Sequence, residues 1–427
     1  MREAVIVSGA RTAIGGFGGA LKDVSAIDLA ALVIRETLKR AQLRPVASAA
    51  MKDAAPAALK EQGLIELERK AGAWNGDAQP VAVDEVIMGN VLQASQGQNP
   101  ARQAVIRAGL SKETPAATVN KVCGSGLKAI AMGAAAIMTG QADVVVAGGM
   151  ENMSLAPMAM TKARWGYRME LTGKGEVMDL MVFDGLYEIF YGYHMGVTAE
   201  NIANLYKISR AEQDELGVLS HQRARAAITG GLFTEEIVPV VIKDRKGDIV
   251  YNIDERPMDT SMDKMAKLRP AFRPDGTVTA GNASGINDGA AAVLMMSAEE
   301  AKRMGLTPFA RVKAFAAGAL DPAYMGLGPV PAVKKALKAA GMSLKDIDMI
   351  ELNEAFAAQA IGCMRELGLS SDRPNELGSG ISLGHPVGAT GTMRLTTLLH
   401  EMKRRNARYG LETICGGGGL GICAIVE

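Results

Sequence analysis

A short β-like run ending in a cysteine followed by glycine occurs twice in this chain, and that repeat constrains the fold most. Residues 117–122 run into Cys123-Gly124-Ser125-Gly126. Residues 411–414 run into Cys415-Gly416-Gly417-Gly418-Gly419. One such element in each half implies an internal duplication. Around both, apolar strand-like runs alternate with helical periodicities. Strands are expected at 4–8, 83–92, 143–149, 289–296 and 348–352. A helix is expected after Ser25, a cap candidate, with Ile27, Ala30, Ala31, Ile34 and Leu38 on its apolar face. Further helices are expected at 99–110, 125–139, 355–367 and 390–405, and at 328–340 with Pro329 and Pro331 in the first turn. Strand and helix alternation of this kind specifies an α/β fold with covered sheets. A chain of 427 residues exceeds what one core serves, so two or three domains are expected.

Two stretches leave the pattern. Residues 44–79 are rich in alanine, carry Pro45 and Pro56, and alternate in charge over 60–70, which reads as an insertion with one surface helix. Residues 151–281 lose regular periodicity apart from a helical stretch at 209–229, which reads as a long excursion from the core.

Charge excludes whole classes of partner. Lys and Arg total 47 against 46 Asp and Glu, a net charge of +1, so no global field recruits nucleic acid or an anionic membrane. Phosphate recognition must then be local. The first residues read as a strand, and no apolar run is long enough to span a bilayer. A soluble cytoplasmic chain is expected. The four cysteines, Cys123, Cys363, Cys415 and Cys423, form no Cys-x-x-Cys and no zinc-like spacing, so free thiols and no metal are expected. Only His194, His221, His385 and His400 can transfer protons near neutrality.

Cys123 lies where a helix begins, and a helix N-terminus favours thiolate. Gly124 and Gly126 let a bulky thioester approach the backbone. Taken alone, Cys123 reads equally well as a small core residue. His385, between Gly384 and Pro386, can activate a thiol or donate to an oxyanion, or it can satisfy turn carbonyls. Cys415 alone reads as core. The glycines after it cost conformational entropy, which points to backbone N–H groups turned toward a ligand. Asn353, in Asn353-Glu354-Ala355-Phe356, either caps a helix or holds a water beside a reacting carbonyl. Cys363 and Cys423 read as packing, and the other three histidines as helical or surface residues. Methionines of the excursion are candidates to line an apolar tunnel.

Together these segments resemble the thiolase family, in its acetyl-CoA acetyltransferase branch. The matching segments are Gly97-Gln98-Asn99-Pro100-Ala101-Arg102-Gln103, the Cys123 motif, Tyr191-Gly192-Tyr193-His194-Met195-Gly196, Leu268-Arg269-Pro270-Ala271-Phe272, Gly281-Asn282-Ala283-Ser284-Gly285, the Asn353 motif, His385 and Cys415. They run in family order over nearly the whole chain. The resemblance implies a five-layered αβαβα fold from two similar halves, with a loop domain inserted in the first. The halves would be 1–152 with 286–305 (insertion 44–79) and 306–427, and the loop domain 153–285.

The resemblance also implies a ping-pong, reversible Claisen condensation of two acetyl-CoA to acetoacetyl-CoA and CoA. Cys123 would carry the acyl group and His385 would activate it. Cys415 would move the α-proton and Asn353 would position a water. The N–H groups of Cys123 and Gly417 would form an oxyanion hole. Ser284, Phe356, Met325 and Arg256 match positions near the pantetheine or nucleotide. CoA thioesters would be substrates, with no further cofactor, in a homodimer or homotetramer of fatty-acid metabolism. Three departures stand out: the 44–79 insertion, Leu377-Gly378-Ser379 where the family has Asn-Gly-Gly, and Met158 where many biosynthetic members carry histidine. Met158 is expected to fill part of the acyl pocket. It keeps a degradative 3-ketoacyl-CoA thiolase as the alternative. Ketoacyl-carrier-protein synthases share the fold but use one cysteine with two histidines, and Cys415 argues against them. A non-catalytic lipid-binding relative would have lost a catalytic residue, and none is missing.

Overall fold

The computed structural model describes residues 2–168 and 174–427. The first half contains β1 (Ala4–Thr12), α1 (Ala26–Arg40), β2 (Glu85–Gly89), α2 (Pro100–Arg107), β3 (Ala116–Val119), α3 (Ser125–Met138) and β4 (Val144–Asn152). The excursion adds α4 (Met195–Tyr206) and α5 (Arg210–Thr229), after which the chain returns as β5 (Asn287–Ser297). The second half contains β6 (Ala310–Ala319), α6 (Pro329–Ala340), β7 (Met349–Leu352), α7 (Ala357–Leu367), α8 (Thr390–Arg405), β8 (Gly410–Gly416) and β9 (Leu420–Val426).

The strand pairings repeat. In the first half β2 runs parallel to β4, β4 antiparallel to β5, and β5 antiparallel to β1. In the second half β7 runs parallel to β8, β8 antiparallel to β9, and β9 antiparallel to β6. The duplication is therefore real, but the cysteines are not its equivalent points. Cys123 precedes the central helix α3, and the matching place before α8 holds His385. Cys415 ends β8, whose counterpart is β4. Val5 and Ile6 of β1 pair with Arg311 and Ala310 of β6, which joins the two halves edge to edge.

Side-chain alternation then makes five layers. Val144, Val146, Leu294 and Met296 share a core with α1 on one outer face. Val145, Ala147, Val293 and Met295 turn inward and meet Ile130 and Ile137 of α3, Leu395 and Leu398 of α8, and Ile414, Ile422 and Ala424 of the second sheet. Cys423 and Ile425 face outward onto Ala332, Val333 and Ala336 of α6. The two central helices cross closely. A Cβ on Gly126 would lie 2.7 Å from Thr392 Oγ1, and one on Gly391 would lie 2.7 Å from Leu127 N.

The insertion differs from its expected form. It carries two short helices, Ala49–Asp53 and Glu66–Lys70, and its ends are closed by pairing of Leu43–Pro45 with Gln79–Val81. It is tied to the body by side chains: Arg35 covers the Trp74 ring at 4.3 Å and donates to Ala73 O at 2.6 Å, and Trp74 Nε1 donates to Gly109 O at 2.9 Å. The strand β6 had no expected counterpart. Its alanine-rich run is a poor strand former in isolation and is made a strand by its neighbours β1 and β9.

Candidate active site

The Cys123 loop is wound tightly. Lys121 N donates to Ser125 Oγ at 2.8 Å, Ser125 Oγ donates to Val122 O at 2.6 Å, and Val122 N donates to Asn120 Oδ1 at 2.9 Å. These bonds hold Val122 at φ 49°, a left-handed conformation costly for a β-branched residue. The strain sits one residue before the thiol. Cys123 then precedes Gly124, the cap of α3, and the nearby Gly417 N–H favours its thiolate. Burial pushes the thiol up to about 11, against that N–H. Desolvation thus outweighs the N–H groups that favour its thiolate.

The His385 loop reaches across to the first half. His385 N donates to Asn287 Oδ1 at 2.9 Å, and Gly388 N donates to Glu151 Oε2 at 2.9 Å. Glu151, fully buried, also accepts from Asn90 Nδ2 at 2.8 Å, Val91 N at 3.0 Å and Leu92 N at 3.1 Å. Burial raises its carboxyl to about 7, in opposition to those N–H donors. His385 Nδ1 lies 2.7 Å from Thr390 Oγ1, while Nε2 is buried without a partner. Burial, and secondarily Arg394, lowers the ring to about 4, so it is neutral at pH 7.

Cys123, His385 and Gly417 line one cavity of about 600 Å³ with Ser284, Phe356, Met325 and Arg256. Met153, Met195 and Met258 add to its mostly apolar wall. Arg256 braces that wall: Nε donates to Ile381 O at 2.7 Å and Nη2 to Ala283 O at 2.9 Å. Burial lowers it to about 10.

Cys415 and Asn353 lie behind the lining. Cys415 is fully buried in a cluster with Met195, Met325, Ala355 and Phe356. Burial and then the nearby Cys123 hold its thiol well above the ordinary range. Both polar atoms of the Asn353 side chain are buried and unpartnered, although its N–H binds Thr413 O at 3.0 Å. Asn353 is thus no helix cap; the helix starts four residues later and Phe356 takes that place. Met158 is a correction. It is 64% exposed, sits in a two-residue strand pair with Asp179, and does not line the cavity.

His194, whose sequence pattern reads as helical or surface, in fact lines the cavity, stacked on Phe272 at 4.7 Å with its Nδ1 accepting from Gly196 N. A histidine directly before an apolar helix was the available signal. His221 is buried, its Nδ1 accepting from Met258 N, and His400 packs edge-on against Phe309.

The thiolase N-terminal domain model matches residues 4–55 and 46–299, and the thiolase C-terminal domain model matches 306–427. The chain belongs to the thiolase family. An acetyl-CoA acetyltransferase of Escherichia coli is 50% identical over 429 residues, covering 100% of this chain and 99% of that one. A beta-ketothiolase of Cupriavidus necator is 48% identical over 429 residues, with the same coverage. The crystal structure of the Bacillus anthracis acetyl-CoA acetyltransferase superposes with a TM-score of 0.88 at 40% identity, covering 100% of this thiolase and 99% of that chain. The five-layered arrangement is thus the thiolase fold, and the two overlapping N-terminal matches meet inside the insertion.

Proposed function

We propose that this thiolase is an acetyl-CoA C-acetyltransferase, joining two acetyl-CoA into acetoacetyl-CoA and CoA. The observation that carries the reading is the cavity in which a thiol from the first half and an imidazole from the second face one space, with Gly417 beside them. As Cys123 attacks the thioester carbonyl, His385 Nε2 takes the thiol proton. The N–H groups of Cys123 and Gly417 hold the oxyanion. Collapse expels CoA, which recovers the proton from His385. Cys415 then yields its own proton to the again-neutral His385 and, as thiolate, takes the α-proton of a second acetyl-CoA. The resulting carbanion attacks the acetyl carbon, and the Cys123 thiolate so released recovers the proton held on His385. Burial that raises the Cys415 thiol also makes its thiolate the stronger base. Asn353 holds a water for the second carbonyl, which would satisfy its two orphaned atoms. The methionine-rich wall suits the acyl and pantetheine chain, with Ser284, Phe356, Met325 and Arg256 flanking it. CoA thioesters are the only small molecules this scheme requires; it draws on neither metal nor further cofactor. It fits a cytoplasmic homodimer or homotetramer.

Resemblance to a beta-ketothiolase at nearly the same identity supports a second reading, longer 3-ketoacyl-CoA substrates. Steady-state thiolysis separates them. A kcat/KM highest for acetoacetyl-CoA is expected. A higher value for a 3-ketoacyl-CoA of eight carbons would overturn the short-chain assignment and favour the second.

A further inference from the structure

We propose that Thr390, the first residue of α8, is a positioning residue that sets which nitrogen of His385 carries the proton. The inference rests on the reading of His385 as the base for Cys123. Thr390 Oγ1 lies 2.8 Å from Pro386 O and 2.7 Å from His385 Nδ1, and all three groups are buried. A hydroxyl has one hydrogen, and a carbonyl can only accept. If that hydrogen pointed at Nδ1, two oxygens with lone pairs would face each other 2.8 Å apart. The hydrogen therefore goes to Pro386 O, and the hydroxyl oxygen accepts a proton carried by Nδ1. A neutral imidazole carries only one N–H, so Nε2 is left with a bare lone pair.

Nothing else on the described residues competes for that choice. Nε2 has no partner, and His385 lines the cavity that Cys123 enters. The groups that face the ring are Thr390 at Nδ1 and, by charge, the buried Arg394 guanidinium, which disfavours a second proton. The other tautomer would aim an N–H at the thiol and could not take its proton. It would also strand Nδ1 without a donor. Thr390 is thus the group that makes His385 a base toward the cavity rather than a donor. The role is easily mistaken for a helix-start feature, because the Thr390 hydroxyl also follows the common back-bond to the carbonyl four residues earlier.

The test uses the full-length protein with 15N-labelled histidine, comparing wild type with Thr390→Val and Thr390→Ser. Wild type and Thr390→Ser are expected to show His385 with a pyridine-like Nε2 and a pyrrole-like Nδ1. Thr390→Val, of equal shape, is expected to lose that preference. Its rate of Cys123 acetylation by acetyl-CoA is expected to fall about 10²-fold or more, the size of a general-base effect, with Thr390→Ser largely rescued. A Thr390→Val protein with the wild-type tautomer and wild-type acetylation overturns the inference. An equal rate loss in both variants with no tautomer change also overturns it, since that is a packing effect. If His385→Ala acetylates normally, the reading of His385 as base fails instead, and the two failures are told apart. Thermal unfolding of each variant reports whether Thr390→Val is folded; should it not be, Thr390→Cys, with its weaker hydrogen bonding, is expected to give an intermediate tautomer shift, and an unchanged tautomer there overturns the inference.

Discussion

The loop before α3 and the loop before α8 occupy matching places in the two halves, yet only one is anchored across them. The Cys123 loop is held by Asn120, Ser125 and the strained Val122, its own neighbours in sequence. The His385 loop has internal bonds through Thr390 and Pro386 but is also held by Asn287 and Glu151 of the other half. Duplication supplied two equivalent helix starts. In the proposed mechanism the first is the nucleophile loop and the second the base loop, so the base is anchored in part on the half that carries the nucleophile.

The sharpest way to probe this division of labour is to remove the third group. Cys415→Ala is expected to leave acetylation of Cys123 intact while condensation falls about 10²–10⁴-fold, the range of a lost proton-transfer group. Rapid-quench measurement of the two half-reactions checks it; equal losses in both would place Cys415 in the acylation step.

Cutting the tie between halves comes next. Glu151→Ala strands the N–H groups of Val91, Leu92 and Gly388 and leaves the Asn90 amide with Met150 O alone. Each stranded buried donor costs about 1–3 kcal/mol. A fall in denaturation midpoint together with loss of acetylation is expected. Normal stability with normal acetylation would show that the base loop is self-supporting after all.

A gentler probe is pH. Burial lowers the His385 ring from 6.5 to about 4, so folded protein should keep it neutral through the range where an ordinary histidine charges. Following its ring signals by NMR down to about pH 4 checks this; a midpoint near 6.5 would mean the ring is solvated. By linkage the sign is fixed: the unfolded chain takes up this proton first, so the contribution of His385 to stability is full above 6.5 and is lost as pH falls toward 4.

The smallest effect is expected from the insertion. Replacing residues 46–78 by a short linker should leave acetoacetyl-CoA turnover near wild type, since its ties include Arg35, Gly109 and Lys112, all away from the cavity, and none of its residues lines the cavity. A large rise in KM would show that it reaches the site.

Much of this was legible beforehand. Helix α8, with its end-to-end periodicity, and the strands around Cys415 and Cys423 follow from local pattern. The glycine-flanked Cys123, His385 and Cys415 stood out because a turn without bulky neighbours exposes its one reactive side chain. What escaped reading was long-range. Glu151 and Asn287 meet the His385 loop across 237 and 98 residues. Thr390 looked like an ordinary helix start. Strand β6 is alanine-rich and is specified by its neighbours. Met158 matches a pocket position only by its place in the sequence, and the structure leaves it exposed and outside the cavity lining.

The central claim is that Cys123 is acylated with His385 of the opposite half as its base. The most direct test is time-resolved intact-protein mass spectrometry with peptide mapping after mixing with acetyl-CoA, for wild type, Cys123→Ser and His385→Ala. The account expects one acetyl group on Cys123 in wild type, none at the wild-type rate in Cys123→Ser, and acetylation slowed about 10²–10⁴-fold in His385→Ala. Acetyl found on Cys415, or a His385→Ala protein that acetylates as fast as wild type, would contradict it.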